Sequence, residues 1–313
     1  MTTAVGTMLV HLEVSEPVPI AAAAGSDIVL KLRASCPAGR DRTGMALTVI
    51  APGGSAAVHA LTRHDGTVSE TGDVVLKAPP RVGKHVFRFV LPPHEIAGTR
   101  YQETALDVPV SVMPQATSLA VWAVPSPVVV GQRFAVKAGA KSTADCALAG
   151  LCIEVCDHSG AVAARGRLSD MPWPGTAALH WTELDLAAPP AEGIATWSVR
   201  FEAAGLDLPH DGAATAFSVA VVRPPEHTLT VKVIEKETAA PVADVELRLG
   251  AFRGTTGASG VAEIRMPKGN YQLQLWKVGY AAPPRPVEIG ADAFVQIEAL
   301  AIPEEDPDAR WKM

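Results

Sequence analysis

The sequence predicts an all-β protein made of three tandem β-sandwich domains, and three observations lead to this prediction. The first part of the chain is repeated in the second, 26 Gly and 26 Pro punctuate the 313 residues, and apolar residues alternate with polar ones over short stretches. Gly and Pro supply turn geometry and break helices, and a period of two is typical of half-buried strands. Together these features predict many short strands joined by tight turns.

The repeat defines the first two domains. Residues 7–17 align with residues 117–127, and the match continues through turn residues along both copies. The matched positions are Gly25 with Gly131, Gly44 with Gly150, Gly54 with Gly160, Ala78-Pro79-Pro80 with Ala188-Pro189-Pro190, and Phe87 with Trp197. A repeat of this length indicates two copies of one folding unit. We expect the first copy to span residues 1–113 and the second to span residues 114–223.

Each copy is predicted to contain about seven short strands joined by Pro corners and Gly hairpins. In the second copy, Leu151, Ile153 and Val155 alternate with Cys152, Glu154 and Cys156, and a predicted turn follows at residues 157–160. The number and spacing of these strands resemble the immunoglobulin-like β-sandwich. The Cys-Trp-Cys pattern of antibody domains is absent, so the resemblance concerns architecture alone.

The third segment, residues 224–302, shows a different succession of strands and turns. Strands are predicted at residues 227–233 and 240–249, followed by a turn that ends at Gly260, the hairpin Pro267-Lys268-Gly269-Asn270-Tyr271 and the sequence Val278-Gly279-Tyr280. This succession resembles the carboxypeptidase regulatory-like, transthyretin-like domain family. The resemblance implies a third β-sandwich, and its motifs specify turns rather than chemistry. Residues 303–313 form an acidic tail, in which Trp311 is a candidate anchor for a partner or simply part of a frayed end.

Composition and charge exclude several classes of function. The formal net charge of -6 lacks the concentrated positive field that nucleic acid requires, so we expect no nucleic-acid partner. No apolar stretch approaches the roughly 20 residues of a membrane span. The first residues also lack the basic and apolar regions of a secretory signal, which predicts a cytoplasmic protein, or an exported one if a leader was removed.

The richest concentration of metal-ligand residue types is Cys146, Cys152, Cys156 and His158. Thiolate and imidazole bind zinc and copper, which makes these residues weak candidates for a metal site. On one extended strand, however, Cys152 and Cys156 lie about 13 Å apart, too far for a disulfide or a shared metal. We therefore predict free thiols and no metal or cofactor. Because Cys is seldom left in water, the outward face that carries both thiols is expected to contact a partner.

Further interaction candidates lie in the loops. Trp173 lies between two prolines, and it either contacts a partner or folds back onto its own domain. His94 and His210 are each followed by an acidic residue and precede the last strand of their copy. Such loop residues bind ligands in some proteins and cap turns in most.

No catalytic motif is present, and no Ser lies in a nucleophile elbow, so we expect a protein that is not an enzyme. The leading hypothesis is a non-catalytic accessory or scaffolding subunit that docks onto a larger protein assembly. The alternative is an adhesin-like or carbohydrate-binding rod of an exported bacterial protein. A third hypothesis is a metal-binding protein that uses Cys146, Cys152, Cys156 and His158.

Overall fold

The computed structural model describes residues 8–144 and 146–302, and all regular secondary structure in these ranges is β-strand. The all-β prediction is therefore confirmed. Buried apolar residues form three separate cores, which run from Val10 to Val112, from Val128 to Val221 and from Leu229 to Ala299. The chain is thus a series of three β-sandwiches. The domain boundaries after residues 113, 223 and 302 stay our proposal.

The first domain contains strands β1 to β12. One sheet has the order β1-β4-β7-β6-β5-β9-β12-β2, because the long β6 pairs with both β5 and β7. Two further pairs, β3 with β8 and β10 with β11, are separate from it. The bounds are β1 His11–Val14, β2 Ile20–Ala23, β3 Asp27–Leu30, β4 Leu32–Ser35, β5 Ala46–Ile50, β6 Ala56–Asp65, β7 Val68–Thr71, β8 Val74–Lys77, β9 Gly83–Leu91, β10 His94–Ile96, β11 Thr99–Tyr101 and β12 Thr104–Met113.

The second domain packs a three-stranded sheet, β13-β15-β18, on a five-stranded sheet, β14-β20-β19-β16-β17. Ile153, Val155 and Trp197 lie in the core between them. The bounds are β13 Thr117–Trp122, β14 Val128–Val129, β15 Arg133–Ser142, β16 Cys152–Cys156, β17 Val162–Arg167, β18 His180–Ala187, β19 Gly193–Phe201 and β20 Ala213–Val222.

The repeat in the sequence corresponds to a repeat in strand pairing. In each copy a short second strand pairs in parallel with the last strand, β2 with β12 and β14 with β20. The Gly residues that follow these short strands, Gly25 and Gly131, have φ values of 74° and 70°. Only a residue without Cβ adopts this region at little cost, so the matched glycines reflect the same backbone corner.

The pairing register corrects one part of the sequence alignment. Counted from the matched glycines, Ser35 corresponds to Lys141, and these residues pair with His11 and Ser118 respectively. Ser118 therefore takes the place of His11, whereas the sequence alignment puts Val121 there. The difference arises in the loop before the second strand, where the two copies differ in length.

The third domain packs two four-stranded sheets, β24-β21-β28-β26 and β23-β22-β25-β27. The predicted strand at residues 240–249 is shorter than expected, because Ala239 and Asp244 have φ values of 57° and 53° and bend the chain before β22. The resemblance to the carboxypeptidase regulatory-like family stays a prediction. The bounds are β21 His227–Glu235, β22 Glu246–Leu249, β23 Phe252–Thr255, β24 Val261–Met266, β25 Gly269–Trp276, β26 Tyr280–Ala281, β27 Arg285–Ile289 and β28 Ala293–Ala301.

We predict that Gly260→Ala destabilises the third domain by about 2 kcal/mol or more. Gly260 has a φ of 72°, and a Cβ added there would lie 2.5 Å from the carbonyl oxygen of Val233. Gly250→Ala is the matched control, because its φ is 61° but no atom lies within 4 Å of the added Cβ. Urea unfolding followed by circular dichroism measures both. Equal stability of the two variants would contradict the close contact at Gly260.

Candidate functional site

An open groove of about 700 Å³ lies at one end of the second domain. Three segments form it: the turn after β16, the corner between β18 and β19, and the first residues of β19. Its volume falls in the range of known ligand pockets, and most of its lining is apolar. The lining residues are Asp157, His158, Ala163, Ala187, Pro189, Pro190, Ala191, Glu192, Gly193, Ile194, Ala195, Thr196, Trp197 and Val221.

The apolar part of the groove is held rigidly. Trp197 is 3% exposed, stacks on Phe217 with a centroid distance of 5.5 Å and meets the edge of Phe134 at 5.6 Å. The carbonyl oxygen of Pro189 accepts a hydrogen bond from the backbone N–H of Gly131 at 3.2 Å, which fixes the Pro-Pro corner. Ile194, in contrast, is 75% exposed at the rim. A large apolar side chain exposed beside a preformed groove is typical of a contact surface.

The rim of the groove carries two carboxylates. Asp157 Oδ1 accepts hydrogen bonds from the Ser159 hydroxyl at 2.6 Å and from the Ser159 and Ala161 backbone N–H groups. These bonds, the Ser159 hydroxyl first among them, hold the pKa of Asp157 below its ordinary value. Glu192 Oε1 pairs with Arg223 Nε at 2.8 Å. The rim is therefore acidic, and the groove is suited to an apolar group that carries positive charge.

The structure does not bring the four Cys and His candidates together. Cys152 is exposed, Cys146 is half-buried and Cys156 is buried, so the two thiols of β16 differ in accessibility. The register shift beside Cys156 lies in β17, where Ala163 is the extra residue, whereas β16 keeps its regular pairing with β19 up to the pair of Cys156 with Ser198. Cys156 is therefore buried on the side of the strand opposite to Val155. His158 lines the groove. Within the described residues, no three His, Cys, Asp or Glu side chains converge as a metal site requires.

Trp173 folds back onto its own domain. Its ring meets Trp122 at 5.1 Å and Trp181 at 4.9 Å, both edge to face, and Lys137 Nζ lies 4.9 Å from its centroid. These contacts cover the outer face of the three-stranded sheet. Of the two alternatives for Trp173, the geometry favours the internal one. The remaining aromatic candidate, Trp311, lies outside the described residues.

His94 and His210 both precede the last strand of their copy, but they are not at equivalent positions. The bridge between Gln115 and His210 matches the bridge between Met8 and Tyr101, so His210 corresponds to Tyr101. His94 Nδ1 lies 2.9 Å from the carbonyl oxygen of Pro92, and His210 Nδ1 lies 2.8 Å from that of Leu208. The other ring nitrogen also has an internal neighbour, Arg42 Nε at 3.4 Å for His94 and the Ser142 hydroxyl at 2.9 Å for His210. Both rings therefore stabilise their own corners.

Two buried polar side chains were not predicted from the sequence. Arg42 is 1% exposed and lies 4.7 Å from the ring centroid of Tyr101, a cation–π contact. Gln115 is 4% exposed at the boundary between the first two domains. Neither has a sequence signal, since Arg42 lies in a charged loop and Gln115 in a short Pro-containing linker. The Gln115 contacts prove central to the proposed function.

Comparison with known proteins gives structures but no sequence family. No family model and no curated protein matches the chain. The major pilin subunit of Bacillus cereus is 11% identical, with a TM-score of 0.21 over 82% of this chain and 95% of the pilin. A structure of a 1.5-MDa bacterial ice-binding adhesin is 12% identical, with a TM-score of 0.28 over 95% of this chain and 99% of the adhesin structure. Domains 4 and 5 of the S-layer protein SbsC are 16% identical, with a TM-score of 0.28 over 69% of this chain and 100% of the SbsC structure.

At these identities and TM-scores the similarities carry no argument about function or location. The cytoplasmic or exported location expected from the sequence stays a prediction. In the described part of the chain, no helix has the length and apolar character needed to cross a bilayer.

We predict that the stabilising effect of Asp157 depends on pH. The pKa of this carboxyl is lowered in the folded state, so its contribution is complete above the unfolded value of about 3.9 and is lost as pH falls through the folded value. Asp157→Ala should therefore be less stable than wild type at neutral pH, and the difference should shrink in acid. Urea unfolding between neutral and strongly acidic pH measures this.

Asp185→Ala is the control for this experiment. Asp185 is also exposed on the second domain, and we find no side-chain hydrogen bond to it in the described part of the chain. Its substitution should change stability little at any pH. If the difference in unfolding free energy between wild type and Asp157→Ala stays constant as the pH falls, the charge of Asp157 does not stabilise the turn.

Proposed function

We propose that the chain is a non-catalytic structural rod, an adhesin-like module of a surface assembly, which binds a protein partner through the groove of its second domain. The observation that carries this proposal is the bracing of both domain junctions by side chains. Neighbouring domains move relative to each other by default unless their interface restrains them. A braced tandem holds its contact surfaces at fixed spacing, which is the property that a structural module requires.

The junction between the first two domains is centred on Gln115. Its side-chain amide donates to the carbonyl oxygen of Ala24 in the first domain, and its side-chain oxygen accepts from the Thr143 hydroxyl at 3.1 Å. Its backbone N–H donates to Pro209 at 2.8 Å, and its carbonyl oxygen accepts from the N–H of Asp211 at 3.0 Å. One buried residue thus makes one hydrogen bond to the first domain and three within the second domain.

Apolar packing supports the same junction. Leu208 of the second domain packs against the core of the first. A Cβ added at Gly25 would lie only 2.8 Å from Leu208 Cδ1, so the corner at Gly25 and this side chain approach closely. Close packing of this kind restricts rotation of one domain against the other.

The junction between the second and third domains is centred on Arg223. Its guanidinium pairs with Glu192 of the second domain and donates through Nη2 to the carbonyl oxygen of Lys268 in the third domain at 3.2 Å. The neighbouring Val222 packs against the core of the third domain. Because Glu192 also lines the groove, this junction supports the contact surface as well as the rod.

The second candidate function is an accessory or scaffolding subunit inside the cell. The observation that favours it is the exposed free thiol of Cys152. Exposed thiols persist in reducing compartments and are readily oxidised outside them. The two candidates share a non-catalytic rod and differ in the compartment in which it works.

We predict that Gln115→Ala loosens the rod without unfolding either domain. The substitution leaves the buried carbonyl oxygen of Ala24 without its partner, at a cost of about 1–3 kcal/mol. Small-angle X-ray scattering should show one extended shape for wild type and a broader range of dimensions for the variant. Gln102→Ala, at an exposed position of the first domain, is the matched control. A wild type as flexible as the variant would remove the main support of the proposal.

The exposed thiol separates the two candidates in native cells. We expect a membrane-impermeant maleimide to label the chain on intact cells, because Cys152 is exposed and a surface rod presents it to the medium. Cys152→Ser is the control and should abolish most of this labelling. Labelling that appears only after lysis identifies the intracellular subunit instead.

A further inference from the structure

Equivalent corners of the two copies carry opposite charge. Gly83 and Gly193 begin β9 and β19, and both have an unusual φ, 131° and 139°. Counted from these glycines, Val82 corresponds to Glu192 and Lys84 to Ile194. The same backbone corner is therefore basic in the first copy and acidic in the second.

The neighbouring hairpin turn follows the same trend. The backbone N–H of Asp157 donates to Ala161, and that of Ala51 donates to Ser55, so Asp157 and Ala51 occupy the same position of the turn. The groove of the second copy is thus lined by two carboxylates, Asp157 and Glu192. The first copy has neither.

The corner of the first copy projects an apolar side chain between two cations. Val82 is 49% exposed, and Arg81 and Lys84 on either side are exposed too. None of the ion pairs found among the described residues involves Arg81 or Lys84. The two positive charges are therefore available to a partner.

The groove of the second copy has the complementary properties. Its floor is apolar, and its two carboxylates lie on the rim. Asp157 Oδ1 is used by the turn, and Glu192 Oε1 is used by Arg223, which offsets part of the charge. Each carboxylate keeps a second oxygen that can accept a bond from a cation.

We propose that the groove of one molecule binds the corner formed by Arg81, Val82 and Lys84 of a second copy of this chain. This inference rests on the proposed function, since it names the partner of the groove. Val82 fits the apolar floor, and the two cations meet the two carboxylates. Groove and corner are different surfaces, so the contact is heterologous. When two molecules bind, one keeps a free groove and the other keeps a free corner. Repetition of the contact builds open chains of molecules rather than closed dimers.

The test uses the full-length chain and exchanges the residues that the two copies already carry at these positions. The groove variant is Glu192→Val with Ile194→Lys, and the corner variant is Val82→Glu with Lys84→Ile. Both backbones already accept the exchanged residues in the other copy, and thermal unfolding verifies that each variant folds. Glu263→Val, an exposed acid in the third domain, is the control.

Sedimentation velocity over a range of concentrations measures the association. We expect wild type and the Glu263→Val control to form larger species as concentration rises, and to do so less at high salt because the contact is charged. The association of each exchange variant alone should be weaker by a factor of about ten or more, since like charges then face each other. A mixture of the two variants should associate again, because it retains one native groove and one native corner.

Three results would overturn the proposal: wild type that stays monomeric at all concentrations, a mixture of variants that stays monomeric, or only one of the two variants losing association. The last result means that the groove or the corner binds a different surface of the neighbouring molecule. These outcomes differ from a failure of the proposed function, which appears as flexibility in scattering. A stiff monomer rejects this inference and leaves the rod, and a flexible chain that associates rejects the rod alone.

Discussion

The buried amide of Gln115 is the constraint on which the arrangement of the first two domains depends. All four of its hydrogen bonds are made only when Ala24, Thr143 and the segment from Pro209 to Asp211 are in place together. A buried polar group that loses its partner costs about 1–3 kcal/mol, which is large beside the weak contacts that usually join domains. Because the junction follows from this residue, the spacing of every exposed surface on the first two domains follows from it too.

The corners of the repeat show which part of a β-sandwich is fixed and which part is free to change. Gly25, Gly131, Gly83 and Gly193 keep matching φ values because the backbone requires them. The side chains beside Gly83 and Gly193 are exposed, so they vary without loss of the fold. This separation explains how one corner became basic and its equivalent acidic on the same scaffold.

Much of the fold follows from the sequence, because alternation and turn glycines determine which residues are buried. Ile153 and Val155 are buried as the period of two requires, and Trp197 is buried as Phe87 is in the first copy. The burial of Cys156 was not predictable, since this residue lies on the side of β16 opposite to Val155 and is nevertheless covered. The groove was only partly predictable: His158 was a candidate, but Glu192 acquires its position through the corner and its pairing with Arg223, a contact between residues distant in sequence.

The two His corners show why repeat equivalence alone is a poor guide to function. His94 stacks on Tyr101 with a centroid distance of 4.9 Å and faces the buried Arg42, so its corner is closed by the β10–β11 hairpin. His210 instead lies beside Gln115, where an isolated β-bridge joins the two residues across the linker. His210 is equivalent to Tyr101 and not to His94, because the bridge between Gln115 and His210 matches the bridge between Met8 and Tyr101. That backbone position belongs to the interior in the first copy and to a junction in the second. What a repeated position does depends on what its copy is packed against, and the charge exchange between the two Pro-Pro corners follows the same rule.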